Sequence, residues 1–153
     1  MHWQTVSHGS KETESVAAQL GANLRGGETI ELSSDLGGGK TTFTRGLLNG
    51  LGSTDHVSSP TFTISKEYKA GDLRILHFDF YRMGEPGHVA DMLAEAALDE
   101  QTICIIEWGG IVQGMLPVDR ITVAFAKDAD DEHRRMLTIN YPDERDYIMK
   151  GLK

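Results

Sequence analysis

Cysteine is all but missing from this sequence. The one present, Cys104, cannot close an intramolecular disulfide, so the disulfide-stapled folds of secreted chains are excluded. It sits in the apolar run 103–106 and reads as a small buried core residue rather than a nucleophile. Long hydrophobic runs are missing too, since apolar stretches last only a few residues against the ~20 that a membrane-spanning helix needs. Met1, His2, Trp3 and Gln4 lack the basic start and apolar stretch of a secretory leader, so a reducing, cytoplasmic setting is expected. Positive charge is scarce: 15 Lys and Arg stand against 23 Asp and Glu, for a net charge of -8. With no basic cluster to track phosphates, unaided binding to a nucleic-acid backbone is not expected, and the partner is a protein or a small molecule. The six histidines show no metal-site spacing, which argues against zinc. Repeats, low-complexity tracts and Pro/Ser-rich linkers are absent as well. Residues 1–153 therefore read as a single domain, large enough for a real core.

What is present alternates between helix and strand. Ser10 is a good N-cap for a first helix, with Glu12 and Glu14 in its first turn. Val16, Ala17, Leu20 and Leu24 share one face of it, and Gly26-Gly27 ends it. Residues 29–32 read as a strand, and Phe43, Leu47, Leu48 and Leu51 form a helical stripe that stops around Gly50 and Gly52. Residues 62–68 and 73–78 read as a hairpin turning at Ala70-Gly71-Asp72. A short helix is expected over about 89–98. The continuous apolar run 103–106 has the character of a buried central strand. Strands over 121–125 and 135–139 flank the charged loop 127–134, and residues 141–153 read as either a loose tail or a short helix. The expected fold is an α/β, three-layer P-loop NTPase-like sandwich, whose mixed sheet contains an antiparallel hairpin.

The chemistry is concentrated in Gly37-Gly38-Gly39-Lys40-Thr41-Thr42, set between a strand and a helix. Glycines let consecutive backbone N–H groups point at phosphate oxygens with no Cβ in the way. The helix starting near Lys40 adds its positive dipole end to the same anion. Lys40 is placed to reach the β- and γ-phosphates of a nucleotide and Thr41 Oγ to bind Mg²⁺. Asp35, Leu36, Gly37, Gly38, Gly39 and Thr42 supply the rest of the cradle. A bare glycine-rich turn does not account for three glycines followed by Lys-Thr-Thr.

Nucleotide hydrolysis also needs a carboxylate near the metal and a group that orients the attacking water. Glu107 directly follows the apolar run 103–106, like the acid that ends a Walker B strand; the plainer reading is a carboxylate exposed where a strand stops. Asp79 ends the strand read over 73–78, and a strand's C-terminal end is where open α/β sheets build their sites. It is the candidate to orient or deprotonate water, or else it caps the following turn or pairs with Arg82. His77 alternates with Leu76 and Phe78 and reads as structural. Ser58-Ser-Pro-Thr-Phe-Thr63 is either a switch loop, with Thr61 sensing the γ-phosphate, or an ordinary loop stiffened by Pro60.

Four segments occur in order: Ser-Asp-Leu-Gly-Gly-Gly-Lys-Thr-Thr-Phe-Thr-Arg-Gly (34–46), Ser-Pro-Thr-Phe-Thr-Ile (59–64), His-Phe-Asp-Phe-Tyr-Arg (77–82) and Ile-Glu-Trp (106–108). Together they resemble the TsaE (YjeE) family of small bacterial P-loop ATPases, over roughly residues 10–140. The resemblance implies a subunit of the machinery that makes N6-threonylcarbamoyladenosine beside the anticodon of tRNAs. It implies docking on the partner proteins TsaD and TsaB, with slow ATP hydrolysis supporting repeated cycles and no direct tRNA binding by this chain alone. Carried over by position, Lys40 and Thr41 hold phosphate and Mg²⁺, Glu107 is the second metal-side group, and Thr61 belongs to the switch-like loop. Asp79 belongs to the hydrolytic step, Trp108 packs beside the site, Thr13 lies close to the nucleotide, and Arg134 (or its neighbour Arg135) contacts it.

Ser34 departs from the pattern, standing where the family and the general P-loop have glycine. Should that position require φ > 0, serine costs about 1 kcal/mol. Gly38, where the family usually has alanine, is sterically benign. A small-molecule kinase is the rival enzyme, but such kinases want an arginine-bearing lid. A GTPase wants an Asn/Thr-Lys-x-Asp guanine reader, for which Ala126-Lys127-Asp128-Ala129 is a near miss. A nucleotide-gated adaptor with incidental hydrolysis is the non-enzyme alternative.

Overall fold

The computed structural model describes residues 1–34, 39–58, 60, 64–81, 83–85 and 87–153. Along the chain it runs β1 (His2–Ser7), α1 (Ser10–Gly21), β2 (Thr29–Ser33), α2 (Lys40–Leu51), β3 (Ser65–Ala70), β4 (Leu73–Asp79), α3 (Gly87–Ala96), β5 (Thr102–Glu107), β6 (Ile121–Lys127) and β7 (Arg135–Asn140). Two 3-10 helices, Gly109–Met115 and Asp143–Met149, follow β5 and β7.

The strands form one mixed sheet in the order β1-β7-β6-β2-β5-β4-β3. Its centre is parallel, with β5 pairing β2 on one side and β4 on the other. Every residue of β5 is buried, as a continuous apolar run covered on both faces must be. The expected hairpin pairs Ser65 with Phe78 through Ala70 with Leu73 and turns at Gly71 (φ 59°).

Period-2 alternation divides the sheet's side chains between two cores. Ile30, Leu32, Ile75, Ile103, Ile105, Val123, Leu137 and Ile139 face α1 and α2, where Leu20, Phe43 and Leu47 are wholly buried. Leu76, Phe78, Cys104 and Ile106 face the opposite way, against Ala90 and Leu93 of α3 and Val112 of the first 3-10 helix. Burial pushes the Cys104 thiol up to about 12, in keeping with an inert core residue. These are the three layers expected from the sequence.

β1 was not legible. It is an edge strand, antiparallel to β7, with only Ser7 fully buried, so it lacks the apolar run that marks central strands. Ser10 is the first helical residue rather than the N-cap. Gly9 takes the cap position, and the Glu12 carboxylate accepts from the His8 backbone N–H at 2.8 Å. Residues 143–149 take the helical alternative and are docked: Ile148 is wholly buried, the Tyr147 hydroxyl donates to Glu28 at 2.6 Å, and Arg145 binds Asp119 at 2.8 Å.

α1 and α2 meet backbone to backbone. A Cβ on Gly50 would lie 2.1 Å from the Ala18 carbonyl oxygen, one on Gly21 2.3 Å from that of Leu47, and one on Gly46 2.5 Å from that of Glu14. Gly50 lies in the last turn of α2, still inside the helix, where glycine is otherwise unfavourable by up to about 1 kcal/mol relative to alanine. Close approach is what keeps it there. Gly50→Ala is therefore expected to lower stability by about 2 kcal/mol despite the better helix former, since overpacking against rigid backbone outweighs propensity. A thermal melt should show Tm falling by roughly 4–8 °C; an unchanged or raised Tm would mean the two helices can separate at no cost.

Candidate functional site

The carboxyl ends of β2, β5 and β4 converge on one edge of the sheet. Leu32 pairs with Glu107, and Glu107 with Asp79, so both candidate carboxylates leave the sheet at the same level. By strand alternation they point toward the α1/α2 side, as does His77. Both are 3% exposed, and His77 is wholly buried. Asp35, Leu36, Gly37, Gly38 and Thr61 lie outside the described residues, as does Arg82.

Gly39 caps α2 in the left-handed region (φ 111°), a conformation that favours glycine, and its carbonyl accepts the Phe43 N–H. Lys40 and Thr41 then open the first turn. The Lys40 side chain is buried. Its ammonium donates to the Ser34 carbonyl at 2.9 Å and lies 4.5 Å from the centroid of the Trp108 ring. Ser34 is not among the described residues with φ > 0, so the backbone strain considered for it is absent. What it offers Lys40 is a backbone oxygen, which any residue supplies.

Trp108 is itself left-handed (φ 55°), uncommon outside glycine. The sharp turn ends β5 at Glu107 and folds the indole back over the start of α2, where it also packs on Tyr81 with ring centroids 4.9 Å apart. Past the turn, the 3-10 helix is tied to β2: Gln113 donates to the Glu31 carboxylate at 3.0 Å and Arg120 donates to it at 3.2 Å. Ile64, also left-handed (φ 68°), sits at the entry to β3, where its carbonyl accepts the Asp79 N–H at 2.8 Å. A β-branched residue there is a steric outlier costing about 1–3 kcal/mol. Both described non-glycine outliers thus adjoin the candidate carboxylates.

The Asp79 carboxylate accepts the Tyr81 N–H at 2.9 Å, so the turn-capping role is present. Glu107 Oε2 is 2.5 Å from His77 Nε2, and the Phe80 N–H donates to the Glu107 carbonyl. The Tyr68 ring lies beyond the imidazole, at a centroid separation of 6.4 Å, and its hydroxyl donates to the Ser58 carbonyl at 3.0 Å. Burial pushes the Tyr68 phenol above its ordinary range, the Ser58 contact opposes that shift, and the Glu107 charge adds to it. Lys66 donates to the Ser58 hydroxyl. The hairpin thereby holds the start of the 58–63 segment.

On the other side of Gly39 lies a depression of about 200 Å³, lined by Gly9, Ser10, Thr13, Gly39, Thr42, Glu132, His133 and Arg135. Thr13 is buried, 2.7 Å from the Ser7 hydroxyl, which in turn donates to the Gly9 carbonyl at 2.8 Å. With Ser7's proton so engaged, Thr13 is the donor between them and its oxygen keeps its acceptor capacity. Arg134 is elsewhere. Its guanidinium donates to Asp128 at 2.6 Å, and that hydrogen bond holds the Asp128 carboxyl below its usual range. Consecutive residues entering a strand point to opposite faces, so Arg135, not Arg134, shares the α1/α2 side with Gly39 and Thr42.

The structure therefore groups Lys40, Trp108, Glu107 and Asp79 at one end of the α2 N-terminus, and Thr13, Gly39 and Thr42 at the other. Sequence reasoning took His77 as structural and did not single out Tyr81, although His77 lies two residues from Asp79 and alternation puts both on one face. Glu107 and Thr41 offer hard oxygen donors, which suit Mg²⁺, and a buried carboxylate favours a cation beside it. Among the described residues no group of three or more His, Cys, Asp or Glu side chains is arranged to hold a metal by itself, so phosphate oxygens and water would have to complete the shell. No helix among the described residues is long and apolar enough to cross a membrane.

Comparison with known proteins identifies the relatives of the chain. Residues 7–136 match the family model described as "Threonylcarbamoyl adenosine biosynthesis protein TsaE". The chain is 38% identical over 138 residues to the tRNA threonylcarbamoyladenosine biosynthesis protein TsaE of Bacillus subtilis, covering 90% of this chain and 85% of that one. It is 34% identical over 125 residues to the protein of the same name from Treponema pallidum, covering 82% and 92%. The crystal structure of Bacillus subtilis YdiB superposes with a TM-score of 0.79 at 30% identity, over 99% of this chain and 94% of that one.

Proposed function

The chain belongs to the TsaE family, and from that premise we propose that it is an ATPase subunit serving threonylcarbamoyl modification of tRNA, binding ATP with Mg²⁺ at the α2 N-terminus. The observation that carries this reading is the placement of Lys40. Its buried ammonium, held by a backbone carbonyl and an aromatic face, sits beside the residue that follows Glu107. A phosphate offers a full opposite charge, which a neutral carbonyl and an aromatic face do not.

In this reading the N–H groups of the loop and first helical turn face the phosphates, and Lys40 reaches the β- and γ-groups. Thr41 and Glu107 hold Mg²⁺, which supplies neutralising charge as the phosphoryl group transfers. Asp79 orients the attacking water. Thr13 and Arg135 bound the depression beyond Gly39, where the far end of the nucleotide would lie. The guanine-reader near miss loses its key residue, because Asp128 is committed to Arg134. TsaD and TsaB are the proposed partners. The net charge of -8 makes direct tRNA contact by this chain unfavourable.

Lys40→Ala should bind ATP at least about tenfold more weakly in a calorimetric titration, since a charge-assisted contact is worth about 1.5–3 kcal/mol. Parent-like binding would refute the P-loop assignment. Asp79→Asn keeps an acceptor for the Tyr81 N–H while removing the charge that steers water. It should bind ATP normally yet turn over at least about tenfold more slowly in a phosphate-release assay; unchanged turnover would remove Asp79 from the hydrolytic step. Replacing each arginine separately distinguishes the two. Arg135→Ala should raise the Kd for ATP about tenfold, while Arg134→Ala stays within about twofold of the parent. The reverse order would return the contact to Arg134.

A further inference from the structure

We propose that His77 is a positioning residue, whose Nε2–H holds the Glu107 carboxylate in the orientation from which it serves the metal–nucleotide site. This rests on the Mg²⁺–ATP reading above and deepens it. His77 is wholly buried in β4, pairs with Ile105, and shares its face of the sheet with Ile75 and Ile103. Those neighbours would accept an aliphatic side chain, whereas a buried imidazole is costly unless hydrogen bonded. Only part of that cost is met. Nε2 lies 2.5 Å from Glu107 Oε2, but Nδ1 has no hydrogen-bond partner among the described residues.

Packing alone therefore does not explain this side chain, and the bond to Glu107 does. An ionised carboxylate only accepts, so the Nε2 hydrogen belongs to the imidazole in that pair. The bond engages Oε2 and leaves Oε1 without a hydrogen-bond partner among the described residues. The imidazole is held in turn: strand register fixes its level, and the Tyr68 ring stands beside it at 6.4 Å. Carboxylates that hold a cation are commonly fixed by such an outer hydrogen bond, and losing it costs about 10–100-fold in metal affinity.

The test compares His77→Phe, which keeps a ring but no donor, with His77→Gln, which keeps a donor. ATP affinity is measured by calorimetry in chelator and across a Mg²⁺ series. The Phe variant should need about tenfold more Mg²⁺ for half-maximal enhancement of binding, with metal-free ATP affinity within about twofold of the parent. The Gln variant should recover most of the difference. In a Glu107→Ala background, His77→Phe should shift the Mg²⁺ dependence no further, because the double-mutant cycle isolates the pair. A parent-like Mg²⁺ dependence, an equal shift in the Glu107→Ala background, or a matching loss of metal-free binding would each overturn the proposal. If circular dichroism shows the Phe variant unfolded, His77→Asn, whose amide is too short to span the gap, takes its place in the same cycle. A parent whose ATP affinity ignores Mg²⁺ would overturn the Mg²⁺–ATP reading itself, before any variant is compared.

Discussion

Everything at the site depends on the register of β5. Its six residues are buried, and its pairing with β2 and β4 places Glu107 opposite both Leu32 and Asp79. In a parallel sheet, slipping by one residue would turn Glu107 toward the α3 core and bury an unpaired carboxylate there. The apolar run forbids that, because its alternate residues already fill two different cores. Burial thus sets the register, and the register sets the site.

The second constraint is the seam between α1 and α2. With glycines letting the two backbones touch, α2 has no side-chain layer through which to tilt, and its first turn is held where Lys40 meets Trp108. The left-handed turns at Trp108 and Ile64 cost local backbone energy that the packed sheet offsets. The ties from Gln113 and Arg120 to Glu31 hold the segment after Trp108, so the indole is clamped from the far side. Rigidity of this kind suits a site whose chemistry is positioning and electrostatics.

Much of this was legible before the structure. The strand–glycine–lysine–helix succession located α2, and the hairpin, the buried strand and the carboxylates at strand ends all stand where pattern and chemistry put them. The edge strand β1 escaped because it buries almost nothing. The docked helix 143–149 was left open because only Ile148 in it is fully buried. Arg134 and Arg135 cannot be told apart in sequence, since a one-residue difference in phase at a strand entry decides which face each takes.

The sequence by itself determined the class of fold and singled out the glycine-rich segment before α2 and the two candidate carboxylates, because these depend on short-range periodicity and on residue types at fixed spacing. Only the tertiary structure decided that Asp79 and Glu107 stand side by side, that His77 belongs to Glu107, that Arg135 shares the face of Gly39 and Thr42, and that Gly21, Gly46 and Gly50 form one contact. Each of these joins residues far apart in the chain or turns on which face a strand presents. They are settled by strand order and register, which follow from how the two cores pack.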